Sequence, residues 1–112
     1  MDRESVVEFH YFKAGGTVSP LISTTRWAWQ SLHLPADFAP GTITYQVRNE
    51  SDDTGLSFVD AIDSSGAAIG PVPVVAGQVL PVSEFVSHCA NWRFVCSAGQ
   101  PVMLKFATVN KT

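Results

Sequence analysis

The chain has 112 residues, of which 46% are hydrophobic and only 15% charged, and it carries a net charge of −3. That length supports one domain with a single modest core. It holds no basic run of the kind a nucleic-acid groove needs, and no apolar stretch near the roughly 20 residues of a membrane helix.

A typical soluble domain carries roughly 25% charged residues, so this chain is expected to have surface that a partner covers. The acids are uneven: Glu50, Asp52, Asp53, Asp60 and Asp63 lie close together. The opening MDRESVVEFH is acidic and lacks an apolar signal core, which predicts a soluble chain made in a cytoplasm.

The hydrophobic period is two almost throughout. In VVEFHYFK, Val7, Phe9 and Tyr11 share one face, and Val6, Glu8, His10 and Phe12 share a mixed one. TVSPLIS reads as an edge strand, because Pro20 cannot donate to a ladder. RWAWQSLHL places Trp27 and Trp29 on one face and Ala28, Leu32 and Leu34 on the other. TITYQVR alternates most cleanly, with Ile43, Tyr45 and Val47 inward. GLSFVDAI groups Leu56, Phe58 and Ile62, with Phe58 and Ile62 as its inward anchors.

Asp63-Ser64-Ser65-Gly66 has the composition of a tight turn, since Asp bonds its own backbone and Gly takes a positive φ. SEFVSH reads as a helical turn with Ser83 as its N-cap. NWRFVCS groups Trp92, Phe94 and Cys96, and VMLKFATV puts Val102, Leu104 and Phe106 inward, with Met103, Ala107 and Val109 on its other face. Pro and Gly punctuate these runs at about 8–12-residue intervals. The expected fold is all-β: an antiparallel two-sheet β-sandwich, jelly-roll-like, of about eight short strands. Residues 1–25 are expected to form a strand or arm serving the sheet or subunit contacts, and residues 26–112 the sandwich body.

Chemistry is sparse. No G-x-S-x-G elbow, phosphate loop, H-x-H or H-E-x-x-H is present. Asp60 and Asp63 with two serines offer too few carboxylates for a calcium loop. Cys89 and Cys96 are expected to be free thiols, and with no nearby histidine pair they do not complete a zinc set. The chain is therefore expected to be no enzyme, with no cofactor and no metal.

The stretch LHLPADFAPGTITYQVRNESDDTGLSFVDAIDSSGAAI, the Ala76-Gly77…Leu80 segment and NWRFVCSAGQP together resemble a pattern in small virion proteins of tailed bacteriophages. Its matching positions are Leu34-Pro35, Phe38, the strand Thr42 to Val47, Asp52 to Gly55, Phe58 to Gly66, Arg93, Phe94, Ser97 and Gly99. The likeness spans about residues 32–109; Cys96 stands where a larger aliphatic residue is common, and the first 25 residues have no counterpart.

The resemblance implies a β-sandwich structural subunit of the virion, first of all a capsid decoration or cement protein. It would be assembled in the bacterial cytoplasm and bind the major capsid protein or another virion protein, as a dimer or trimer, without nucleic acid or membrane. Val6, Phe12, Trp27, Trp29, Met103 and Val109 are the expected interface residues. Two other assignments stay open: a carbohydrate- or receptor-binding module of a tail fibre or tail tip, using Trp27, Trp29 and Trp92 as a stacking platform, and a head or tail completion protein at a connector ring.

Overall fold

The computed structural model describes residues 5–24, 29–87 and 89–111. These form β1 (Ser5–Phe12), β2 (Ile22–Ser23), β3 (Trp29–His33), β4 (Gly41–Arg48), β5 (Phe58–Asp60), β6 (Val72–Val74), β7 (Val79–Pro81), a short helical turn α1 (Glu84–Ser87), β8 (Asn91–Cys96) and β9 (Leu104–Lys111). All pairings between these strands are antiparallel. One sheet runs β1-β9-β3-β7 and the other β2-β8-β4-β5. On β4, Ile43 to Val47 pair with β8, while the other edge takes β5 at Gln46 to Arg48 and β6 at Gly41 to Ile43. The result is an all-β, β-sandwich-like fold.

The two sheets meet through aromatic rings. Phe94 of β8 lies edge-on to Phe106 of β9 with centroids 5.3 Å apart, and Phe12 of β1 packs on both Phe94 and Phe106. Edge-on and tilted geometries suit the ring quadrupoles. Tyr45 and Trp92 extend the cluster along β4 and β8, and Ile43, Leu32 and Val86 are fully buried around it. Each such side chain contributes about 1.5–3 kcal/mol by leaving water.

The alternation expected for β4 and β8 holds: Ile43, Tyr45, Trp92, Phe94 and Cys96 are buried, and Val47 packs against the core. Ser83 caps α1 by accepting from the Phe85 N–H at 3.3 Å. After β5, Asp63 closes a hairpin turn in which its N–H donates to the Ala67 carbonyl at 2.8 Å, with Gly66 at φ 87°. Ile62 and Ala68 then bridge antiparallel.

The expectations for Phe12, for Phe58 and Ile62, and for Val102 are corrected. Phe12, expected at an interface, is fully buried in the core. On β1, whose two faces the alternation separates without ranking, the mixed face points inward, and Val7, Phe9 and Tyr11 stand 51–60% exposed. Phe58 and Ile62 are not inward anchors: Ile62 is exposed, and Phe58 lies on the outer surface beneath Arg93, while Ala61 takes the buried position. Val102 is also exposed, ahead of the start of β9.

The orientation of β1 has a physical cause. Its inward polar groups find partners on the same face of β9 and β3. Glu8 accepts from Asn110 Nδ2 at 2.8 Å, and His10 Nε2 bonds Thr108 Oγ1 at 3.0 Å while its ring stacks on Phe106. Gln30 Nε2 donates to Asn110 Oδ1 at 2.8 Å. With these groups satisfied, burying them costs little, and Phe12 reaches the aromatic cluster.

Candidate functional site

The outer surfaces of the two sheets differ in chemistry. On the β2-β8-β4-β5 sheet, the outward residues are Thr42, Thr44, Gln46, Arg48, Asn91, Arg93 and Asp60, with Phe58 and Val95 among them, and the exposed Val18 bridges Val95. Polar groups among them bind one another. Arg93 donates to Gln46 Oε1 at 2.9 Å, and Gln46 donates to Asp60 Oδ1 at 3.0 Å. The Arg93 guanidinium also covers the Phe58 ring at 3.8 Å. Beside this chain, Arg48 and Asn91 both donate to Glu50, which holds its carboxyl below the usual range.

The outer surface of the β1-β9-β3-β7 sheet is apolar. The register sets Val7 beside Val109 and Phe9 beside Ala107, and sets Val109 beside Ser31 and Ala107 beside His33. Trp29 and Val79 add exposed apolar area, and Pro81 lies beside Ser31. Apart from histidine, the ionisable groups on these outward strand positions are Tyr11, Lys105 and Lys111. The Lys105 ammonium sits over the Phe9 ring, 4.6 Å from its centroid. Five of the ten acids, Glu50, Asp52, Asp53, Asp60 and Asp63, follow or flank β4 and β5 on the other sheet. Contiguous exposed apolar area of this kind marks an interaction site on a protein surface.

Of the expected interface residues, Trp29 and Val109 belong to this apolar face, Trp29 exposed and Val109 half-buried. Met103 is 68% exposed on the bend before β9. Val6 turns to the inner side of β1, where its carbonyl accepts from Asn110 Nδ2 at 3.3 Å. Trp27 lies outside the described residues. Val7, Phe9, Tyr11 and Val79, which complete the face, were missed because their apolar alternation reads as core.

The expected tryptophan platform does not form as a trio. Trp92 is fully buried and its indole N–H donates to Gln30 Oε1 at 2.9 Å. Both cysteines are free, and burial pushes the Cys96 thiol up to about 11, far from a reactive thiolate. Among the described residues no three His, Cys, Asp or Glu side chains gather to hold a metal ion. Asp63 is occupied by its own turn: Oδ1 accepts from the Ser65 hydroxyl at 2.6 Å, the Ser65 N–H at 2.8 Å and the Ala67 N–H at 3.1 Å.

Comparisons of the chain with protein-family models, with curated proteins and with solved structures return no match.

Proposed function

We propose that this chain is a non-enzymatic structural subunit that docks through the outer face of its β1-β9-β3-β7 sheet, and that its assembly is a bacteriophage particle. The observation that carries the docking role is the contrast between the two sheets. One outer face is internally hydrogen-bonded and polar; the other is apolar and fringed by Lys105 and Lys111. The phage assignment rests on the sequence resemblance, and within it a capsid decoration or cement role comes first.

The strand order favours a jelly-roll reading of the sandwich, the architecture shared by viral capsid and lectin domains. With β5 and β6 sharing one edge of β4, each sheet holds four strand positions, and the chain crosses between sheets at β1–β2, β2–β3, β3–β4, β6–β7, β7–β8 and β8–β9. Fold alone does not assign function, so this wiring supports the proposal only by analogy.

A subunit of this kind works by mass action. Binding the assembled lattice but not its dissociated state stabilises the lattice by about 2.7 kcal/mol per site at 100 times the dissociation constant. The test is co-sedimentation with purified particles of the phage that encodes the chain. Wild type is expected to pellet with the particles, and Trp29→Asp with Val79→Asp to stay in the supernatant while remaining folded. Equal pelleting of the folded double variant would remove the sheet face from the account.

A further inference from the structure

β1 is the edge strand of its sheet: it pairs with β9 on one side, and no described strand pairs with the other. Natural edge strands are usually guarded by proline, charged side chains, a bulge or shortness; the one formal charge of β1, Glu8, is bonded inward to Asn110 at 2.8 Å. β1 has eight residues, SVVEFHYF, without proline, lysine or glycine, and it keeps register with β9 at every residue. Such an edge is a template for another strand.

The sequence of β1 identifies that strand. We propose that β1 pairs with β1 of a second copy, antiparallel about a two-fold axis through Phe9, so that two four-stranded sheets become one continuous sheet. Directly opposite residues of an antiparallel pair point to the same side, so a two-fold axis perpendicular to the sheet has to pass through a residue rather than between two. With the axis on Phe9, Phe9 meets Phe9, Val7 meets Tyr11, Val6 meets Phe12, and Glu8 meets His10 on both sides of the axis. Ser5 meets Lys13. An axis on Glu8 would set the two Glu8 carboxylates against each other. An axis on His10 would oppose the two histidines and shorten the overlap. Aromatic, aromatic–β-branched and opposite-charge pairs are the ones that stabilise neighbouring strands, while like charges directly opposite weaken them. Avoidance of opposed carboxylates, together with the aromatic and aromatic–β-branched pairs, therefore selects a second copy in the Phe9 register.

The outer positions support the same arrangement. Val7, Phe9 and Tyr11 are exposed in one copy, and pairing at the axis would bring both sets side by side on one apolar surface. Lys105 over each Phe9 would lie to either side of the axis. This inference concerns the edge of the sheet and does not depend on the phage assignment or on what the face binds.

Variants with one introduced cysteine in a Cys89→Ser background, where only the buried Cys96 remains, test the register by cross-linking with dibromobimane, which bridges only thiols a few ångströms apart. Opposite Cβ atoms lie about 4.5–5.5 Å apart. Phe9→Cys should cross-link with itself. Val7→Cys and Tyr11→Cys should each fail alone and cross-link when mixed. In sedimentation equilibrium, Phe9→Asp, a change at an exposed position, should raise the dimer dissociation constant at least tenfold with an unchanged folded spectrum. A wild-type chain that stays monomeric across the concentration range would overturn the dimer. Self-cross-linking of Val7→Cys would overturn the register. Particle binding by a monomeric chain would leave the docking face standing and remove only the β1 pairing.

Discussion

The indole Nε1 of Trp92 donates to Gln30 Oε1 at 2.9 Å, and this bond spans the two sheets, from β8 to β3. Gln30 passes the connection on. Its Nε2 donates to Asn110 Oδ1 at 2.8 Å and to the Ser23 carbonyl at 3.1 Å, and Asn110 donates in turn to Glu8. Gln30, Asn110 and Trp92 are all buried, so each polar group depends on the others. The network fixes how one sheet sits on the other, and with it the orientation of β1 and the outer face.

Replacing Gln30 with Leu should therefore destabilise the fold although it adds an apolar side chain. The Trp92 N–H and the Asn110 carbonyl would be orphaned, at about 1–3 kcal/mol for each buried group. Urea unfolding followed by tryptophan fluorescence measures the loss, and an unchanged midpoint would contradict the network.

Phe12→Ala should cost about 3–5 kcal/mol, the range for deleting a buried aromatic side chain. The same truncation at Phe9 should cost far less, because that ring is 58% exposed. Thermal unfolding of the two variants, at a dilution that suppresses self-association, checks the orientation of β1 directly. A larger loss at Phe9 would mean that the strand is turned over.

Burial lowers the His10 pKa below 6.5, and the nearby Glu8 carboxylate only partly opposes the shift. The folded state thus binds fewer protons than the unfolded chain just below pH 6.5, and stability falls as pH falls through that window. His10→Gln should flatten the dependence between neutral pH and the folded-state value. A second loss belongs to lower pH. The hydrogen bonds from Ser65 and Ala67 hold Asp63 below its ordinary value, so its contribution disappears only as the pH drops beneath the carboxylate range.

Calcium should leave the melting temperature unchanged, because Asp63 Oδ1 already accepts three hydrogen bonds within its turn. Asp63→Ala should lower it by removing those bonds from the hairpin. Differential scanning fluorimetry distinguishes the two cases. A clear calcium-dependent rise in wild type would make the loop a metal site.

The sequence made the fold class legible through β4 and β8, where period-two alternation places Ile43, Tyr45, Trp92 and Phe94 without ambiguity. It also marked the Asp63 turn and the Ser83 cap, whose chemistry is local. It left β1 undecided, because both faces carry aromatic residues and the decision depends on partners distant in sequence. The available signal was on β9, where Thr108 and Asn110 share a face with Leu104 and Phe106 and so offer polar partners to Glu8 and His10. The docking face stayed hidden for the same reason: Val7, Phe9 and Tyr11 look like core until that pairing is known. Trp92 shows the converse, a polar-tipped aromatic whose buried partner Gln30 is 62 positions away.

The proposed virion role is tested most directly by quantitative mass spectrometry of purified particles of the candidate source phage. The account predicts that the chain is present in many copies per particle, in fixed ratio to the major capsid protein. Its absence from intact, infectious particles would contradict the assignment as a virion subunit.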